Sequence, residues 1–411
     1  MGQGETPSPA RPPSTAKKAG DVEGPTWAFD TIAVHGAHEP DLNAGSVLPP
    51  IYQTSTYHYP APFSEAREPG RVHLYTRVDN PNQEQAGEVI RRLEGAEAGR
   101  VFSSGMAALS AALLGLLKQG EEVVALEDLY GNTVTLLRDD FPRFGLKVRW
   151  VPSDRSSDVR SFLSPQTRLL LLESPTNPTL RVHDIGLWAR VAHDAGALLL
   201  VDNTFASPVN QNPVALGADL VMHSATKSLG GHSDIIAGAL AGRTSLLERM
   251  DGFAHTLGGS LDPLAAFLLV RGIKTLPLRV RRQNENGRAV VEGLQGHPKV
   301  ERLHFPGSAS DPEEKLCQRQ MRGRTGMVSV VVRGGREGAR RFMGALRLIH
   351  PASSLGGVES LASMPVETSH RQLSLEELHR RGIAEGMVRL SLGVEDPGDL
   401  LADLKRALDQ V

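Results

Sequence analysis

The chain has 411 residues, a formal net charge of −2, 22% charged side chains and one cysteine. That length allows a large core and a second, smaller one, with two or three domains, while the near-neutral charge offers neither a nucleic-acid nor a membrane surface. A single thiol excludes an intramolecular disulfide and a cysteine-based zinc site, and apolar runs such as ALLLV (197–201) are far too short to span a bilayer.

Residues 1–26 are rich in Pro, Gly, Ser and Thr and lack the apolar core of a secretory signal. They are expected to be a disordered tail, with too little apolar surface to offset ordering entropy. Residues 27–75 read as an extended, proline-punctuated arm, as in LPPIYQTSTYHYPAP.

Beyond Asn80, helical and strand signals alternate. QEQAGEVIRRLEG has helical periodicity and stops at a glycine. RVFSSG is a short strand into a turn, and MAALSAALLGLLKQG a strongly apolar helix. EEVVALED is a strand, TVTLLRDDFPRFG a helix, and KVRWVPS and RLLLLESP are strands. IGLWARVAHDAG is a helix, followed by strands in ALLLVDN and DLVMHS. Such alternation, with several strands apolar throughout, predicts an α/β domain over 76–275: a mostly parallel sheet covered by helices on both faces.

From Leu276 the character changes to RVRRQNENGRAVVEGLQGHP (helix), VERLHFPG and GMVSVVVRGG (strands) and further helices, predicting a smaller α+β domain over 276–411. The cluster Arg279, Arg281 and Arg282 reads as a solvated helix start. Cys317 reads as a helical filler, and the lone thiol suits a reducing compartment, the cytoplasm.

Ligands of open α/β sheets bind at the carboxyl ends of the strands. Here Ser103, Ser104, Gly105 and Met106 begin a helix after a strand, which suits either an anion site or an ordinary serine N-cap. Asp202 ends a buried strand, where a carboxylate could bind a metal, hold a loop or neutralise a cationic ring nitrogen. Glu173, Ser174, Pro175 and Asn177 form a polar turn after another strand. In VMHSATKSLGGHSDIIAG, Lys227 stands among small and hydroxylated residues with no charged helical face around it. His223 and His232 flank it without a metal-ligand pattern, and no metal site is expected. Neither the dinucleotide fingerprint nor the P-loop occurs. An amine nucleophile, an acid at a neighbouring strand end and a helix-terminal anion site together match the needs of pyridoxal phosphate.

The motifs YTRVDNP, FSSGMAA, DLYGNT, ESPTNPTLRVHDI, VDNTFASPVNQNPVALGADLVMHSATK, GGHSDIIAG, SSLGGVESL and VRLSLGVEDP follow in order along nearly the whole chain beyond the tail. In these the sequence resembles the Cys/Met-metabolism (trans-sulfuration) enzymes of PLP-dependent fold type I, among them cystathionine γ-synthase, cystathionine γ-lyase, methionine γ-lyase and O-acetylhomoserine sulfhydrylase. The resemblance implies that Lys227 carries the cofactor as a Schiff base and Asp202 pairs with its ring nitrogen. Ser104, Gly105, Met106, Ser224 and Thr226 would hold the phosphate, with Tyr75 and Arg77 reaching it from a neighbouring subunit. Tyr130 would stack on the ring and assist proton transfers. Asn177, Arg389 and the backbone around Ser354 would bind the substrate α-carboxylate. The same resemblance implies a dimer of shared sites, commonly paired into a homotetramer.

Two departures bear on the substrate. The tyrosine loop of the cystathionine enzymes reads Y-G-G-x-x-R, whereas here it is YGNTVT, with Asn132 and Thr135. They also commonly carry glutamate before the SLGG serine, where this chain has Ser353. The resulting expectation is α,γ-elimination on a sulfur amino acid (cystathionine, methionine or homocysteine). The alternatives are γ-replacement on an O-acylhomoserine and a catalytically idle cofactor-binding protein.

Overall fold

The computed structural model describes residues 27–37, 44–58, 73–307 and 313–411; the expected disordered tail, 1–26, lies outside the described residues. Within the arm, Phe29–His35 is helical rather than extended.

Seven strands form the larger sheet: β1 (Ala98–Phe102), β2 (Glu122–Leu126), β3 (Lys147–Val151), β4 (Thr167–Glu173), β5 (Leu198–Asp202), β6 (Leu220–His223) and β7 (Gly238–Gly242). Their order is β1-β7-β6-β5-β4-β2-β3. The β2–β3, β2–β4, β4–β5 and β5–β6 ladders are parallel, and β7 runs antiparallel to both neighbours. The apolar runs of β2, β4, β5 and β6 belong to this layer, and the core contains fully buried Leu169, Leu170, Leu171, Phe141 and Trp188. This is the mostly parallel α/β sheet that the alternation predicts.

Strand β7, with the sequence GALAG, escapes a reading based on β-branched and aromatic content. Its small residues answer to close packing: a Cβ on Gly238 would lie 2.0 Å from the Ser104 carbonyl oxygen, and one on Gly242 2.5 Å from that of Asp219. The helix expected through TVTLLRDDFPRFG instead divides into an α-helical turn (Gly131–Thr135), a π-helical turn (Leu136–Asp140) and a 3₁₀ turn (Phe141–Phe144). Pro142 lies in the last of these, where an α-helical interior would clash with its ring.

A second sheet has β8 (Val300–His304), β9 (Met327–Val332), β10 (His350–Pro351), β11 (Leu361–Ser363) and β12 (Met387–Ser391), in the order β10-β11-β12-β9-β8. It is antiparallel except at β10–β11 and has its own apolar cluster around Val328, Val330, Phe342, Val388 and Leu404. The helix Leu276–Leu294 joins the two halves of the chain. Its basic start is not wholly solvated. Arg281 and Arg282 make exposed pairs with Asp30 and Glu285, but Arg279 is buried and donates to the carbonyls of Ser228 (2.8 Å) and Gly272 (2.7 Å). Helical phase decides the difference, because Arg279 faces the core. Cys317 sits in the helix Glu314–Gln320, buried beside Val182, Ala206 and Met321. No helix among the described residues is long and apolar enough to cross a membrane.

Candidate active site

The parallel run β4-β5-β6 brings three strand ends together. Glu173 and Asp202 are register partners, and Asp202 pairs with Met222. Asp202 Oδ1 accepts from Thr204 N (3.0 Å) and Thr204 Oγ1 (2.5 Å), and Thr204 Oγ1 in turn accepts from Ser224 N at 2.9 Å. Desolvation raises the Asp202 carboxyl against those hydrogen bonds and the nearby His223. No described residue donates to its Oδ2. Behind it, His223 Nε2 meets Glu94 Oε1 at 2.6 Å, both buried, so this histidine is engaged in the core.

Across the site, the helix Gly105–Leu116 points its amino end inward. Ser104 is the N-cap, its side chain accepting from Ala107 N at 3.0 Å, so the cap reading holds. The free N–H groups of that turn still make the helix end an anion-binding surface. Gly105 lies close against the neighbouring loop: a Cβ there would stand 3.0 Å from Ser224 Cβ. Thr226 Oγ1 donates to and accepts from the Ala237 backbone, fixing the loop that carries the lysine to β7.

Lys227 Nζ donates to Ser354 Oγ at 3.0 Å. Burial first, then the Arg389 charge, lowers its ammonium pKa below the ordinary lysine value. Arg389, buried on β12, donates to Asn177 Oδ1 (2.9 Å) and to the Ser354 carbonyl (3.2 Å), while its buried Nε has no partner among the described residues. Desolvation drops this guanidinium to about 10. Opposite, Tyr130 is exposed, and its backbone N–H donates to Glu173 Oε2 at 2.8 Å. The other oxygen of Glu173 accepts from Asn177 N at 3.2 Å.

Ser104, Gly105, Met106, Tyr130, Asn177, Asp202, Ser224, Thr226, Lys227, Ser354 and Arg389 all line one cavity of about 850 Å³. Tyr75 and Arg77 do not. They are exposed on a separate depression near Gln53 and Asp262, with the Arg77 guanidinium 5.6 Å from the Tyr75 ring centroid and bonded to the His255 carbonyl at 2.6 Å. Glu173, Thr204 and Arg371 also line the cavity without being singled out from sequence as site residues. Glu173 was detectable, because it ends β4 as Asp202 ends β5. Nothing in the string marks Arg371.

The family model for Cys/Met metabolism PLP-dependent enzymes matches residues 30–409. The chain is 41% identical over 390 residues to an L-methionine gamma-lyase of Pseudomonas deceptionensis, covering 93% of this chain and 97% of that protein. It is 39% identical over 382 residues to a cystathionine gamma-lyase of Bacillus subtilis, covering 93% and 99%. The solved structure of metB from Corynebacterium glutamicum superposes with a TM-score of 0.88 at 36% identity, covering 93% of this chain and 98% of that one. A cavity that gathers a lysine amine, the strand-end acids Asp202 and Glu173 and a buried arginine is thus found on a scaffold shared along almost its full length, and the chain belongs to the Cys/Met-metabolism family of enzymes dependent on pyridoxal phosphate.

Proposed function

We propose that the chain is a C–S lyase that performs α,γ-elimination on a sulfur amino acid (cystathionine, methionine or homocysteine), releasing 2-oxobutyrate, ammonia and a thiol. The observation that carries this reading is the double use of Ser354: its hydroxyl accepts from Lys227 and its carbonyl from Arg389. An amino acid clamped at its carboxylate by Arg389 therefore has its α-carbon beside the lysine amine.

The residues fit pyridoxal phosphate. Among the described residues Asp202 has an oxygen without a donor and makes no ion pair, which suits a protonated ring nitrogen. The glycine-opened amino end of Gly105–Leu116 suits the phosphate, held by Ser104, Gly105, Met106, Ser224 and Thr226. Tyr75 and Arg77 would complete that cradle from a neighbouring subunit, in a dimer of shared sites assembled into a tetramer. Their exposure in the single chain is what such a role requires. With one buried thiol in 411 residues, we assign the protein to the cytoplasm.

The bound cofactor supplies an electron sink for the pair left when the α-proton departs. Lys227 both anchors it and, as a free amine, takes the α-proton and moves protons at Cβ. Burial and the Arg389 charge lower its pKa, which enlarges the neutral, proton-accepting fraction at any given pH. Arg389, with its unpartnered Nε and the Asn177 contact, holds the carboxylate and fixes which bond faces the amine. Tyr130 covers the ring and assists proton transfer, its backbone pinned by Glu173.

The test is 2-oxobutyrate release from L-cystathionine, L-homocysteine and L-methionine by the cofactor-loaded protein with no added thiol. Release from at least one supports the lyase. No release, with turnover of an O-acylhomoserine plus thiol, replaces it by γ-replacement. A protein that acquires no borohydride-sensitive visible band, or whose band is unchanged in Lys227→Ala, sinks the enzyme reading.

A further inference from the structure

We propose that Arg371 forms the distal anchor of the active-site cavity and selects substrates whose γ-substituent ends in a carboxylate. The inference rests on the lyase reading for the near end of the substrate and concerns the far end. Arg371 lines the same cavity as Lys227 and Arg389. It follows Ser369 and His370, in a segment packed against the tyrosine loop: a Cβ on Gly131 would lie 2.8 Å from the Ser369 carbonyl and 3.4 Å from Gln372 Nε2. Asn132, Thr135 and Gln372 line the cavity beside it.

The charges around this wall decide its sign. Arg138 is held by Asp139 in a bidentate pair at 2.7 and 2.9 Å. Glu367 is paired with Arg340 at 2.6 Å. His370 is buried and neutral, with burial and the charges of Arg381 and Arg389 holding it at about 4. Arg371 is exposed and has no ion pair or hydrogen bond among the described residues. The distal wall therefore carries one uncompensated cation in a guanidinium fork, which suits a carboxylate. Arg389 holds one carboxylate at the near end, and Arg371 offers a place for a second. The tyrosine loop bears Asn132 and Thr135 and no cation of its own at those positions, so the neighbouring segment supplies the charge. The ligand class is a four-carbon α-amino acid with a γ-linked group ending in a carboxylate, either through sulfur, as in cystathionine, or through an ester, as in a succinylated homoserine.

The experiment measures dissociation constants with the cofactor-loaded protein, from perturbation of its visible absorption. The first two ligands are S-(2-carboxyethyl)-L-homocysteine and its uncharged counterpart S-propyl-L-homocysteine. Wild type is expected to prefer the carboxylate about tenfold, the scale of an accessible charge-assisted hydrogen bond. Arg371→Ala should abolish the preference and Arg371→Lys retain part of it. Equal affinities in wild type, or a preference that survives in Arg371→Ala, overturns the proposal. Because binding is read from the first rapid spectral change, before product accumulates, failure of the lyase reading appears separately, as absence of 2-oxobutyrate on longer incubation. L-Cystathionine and O-succinyl-L-homoserine form a second pair. Whichever loses more affinity on Arg371→Ala identifies thioether or ester as the source of the carboxylate, and loss by neither overturns the assignment.

Discussion

Glu173 and Asp202 are register partners across the β4–β5 ladder, so two carboxyl groups meet at one end of the sheet. Burial first, and the Asp202 charge second, push Glu173 well above the ordinary carboxyl range. Its oxygens receive the backbone N–H groups of Tyr130 and Asn177, so this one side chain positions a residue from each wall of the cavity. Glu173→Ala leaves both donors unpaired and should lower kcat/KM by about 10- to 100-fold, the scale of 1–3 kcal/mol. Glu173→Gln restores one acceptor and should fall between. Steady-state kinetics alongside thermal melting checks this order; equal activity in all three proteins would contradict it.

Arg389→Lys keeps a cation but loses the fork that reaches Asn177 and the Ser354 carbonyl together. KM for any amino-acid substrate should rise by about tenfold or more, with a smaller change in the amount of cofactor bound. Titrating activity against substrate and measuring cofactor content separates the two.

Lys227 in the cofactor-free protein has its pKa lowered by burial and by Arg389. A lowered amine pKa means a larger neutral fraction at a given pH. The rate of capture of pyridoxal phosphate should therefore climb with pH and level off below the ordinary lysine value. Arg389→Gln removes one lowering cause and should shift that rise to higher pH. Stopped-flow absorbance across pH 6–11 reads it directly, on the order of a pH unit being the scale of such a charge effect.

Gly238→Ala places a Cβ 2.0 Å from the Ser104 carbonyl oxygen and 2.8 Å from Gly105 N, both backbone atoms that cannot swing aside. The helix end that Ser104 caps must shift, at a cost of about 1–3 kcal/mol. Thermal melting should show the loss, and cofactor titration a weaker complex.

Asp403 accepts from the backbone N–H groups of Arg347, Leu348 and Ile349 at 3.0–3.1 Å and contacts Arg406. Against the upward push of desolvation, these contacts hold its pKa below the usual carboxylate value. A depressed folded-state pKa contributes stability above the unfolded value, and that stability is lost as pH falls through the folded one. Asp403→Asn should thus be less stable than wild type by about 1–3 kcal/mol at pH 7. The gap should narrow as pH drops below about 4. Denaturant melts at pH 7 and pH 3 test the sign.

Much of this site can be read from the string because its parts fall where unlike signals meet. Asp202 and Lys227 follow apolar strands, and Ser104 and Gly105 open an apolar helix, so a polar residue there is conspicuous. Strand β7 is hidden because close packing against Ser104 and Asp219 demands small residues, which erases the strand signal. Arg279 is misleading for a related reason: a guanidinium is buried wherever carbonyls saturate it, and those of Ser228 and Gly272 lie far from it in sequence or in the preceding turn. Arg371 lies in a segment without periodicity, and its place at the cavity depends on how that segment folds over the tyrosine loop.

The helix Leu276–Leu294 grips both sides of the chemistry. Arg279 holds the Ser228 carbonyl, one residue beyond Lys227, and Gln283, one turn further along, donates to the Gly357 carbonyl at 2.7 Å in the turn that bears Ser354. Four residues of one helix, a rise of about 6 Å, therefore tie the segment that carries Lys227 to the turn that bears Ser354. A helix keeps that interval far more rigidly than the two loops could, so a substitution at Arg279 or Gln283, touching neither substrate nor cofactor, would detune the reaction as a slipped rung alters the span of a ladder.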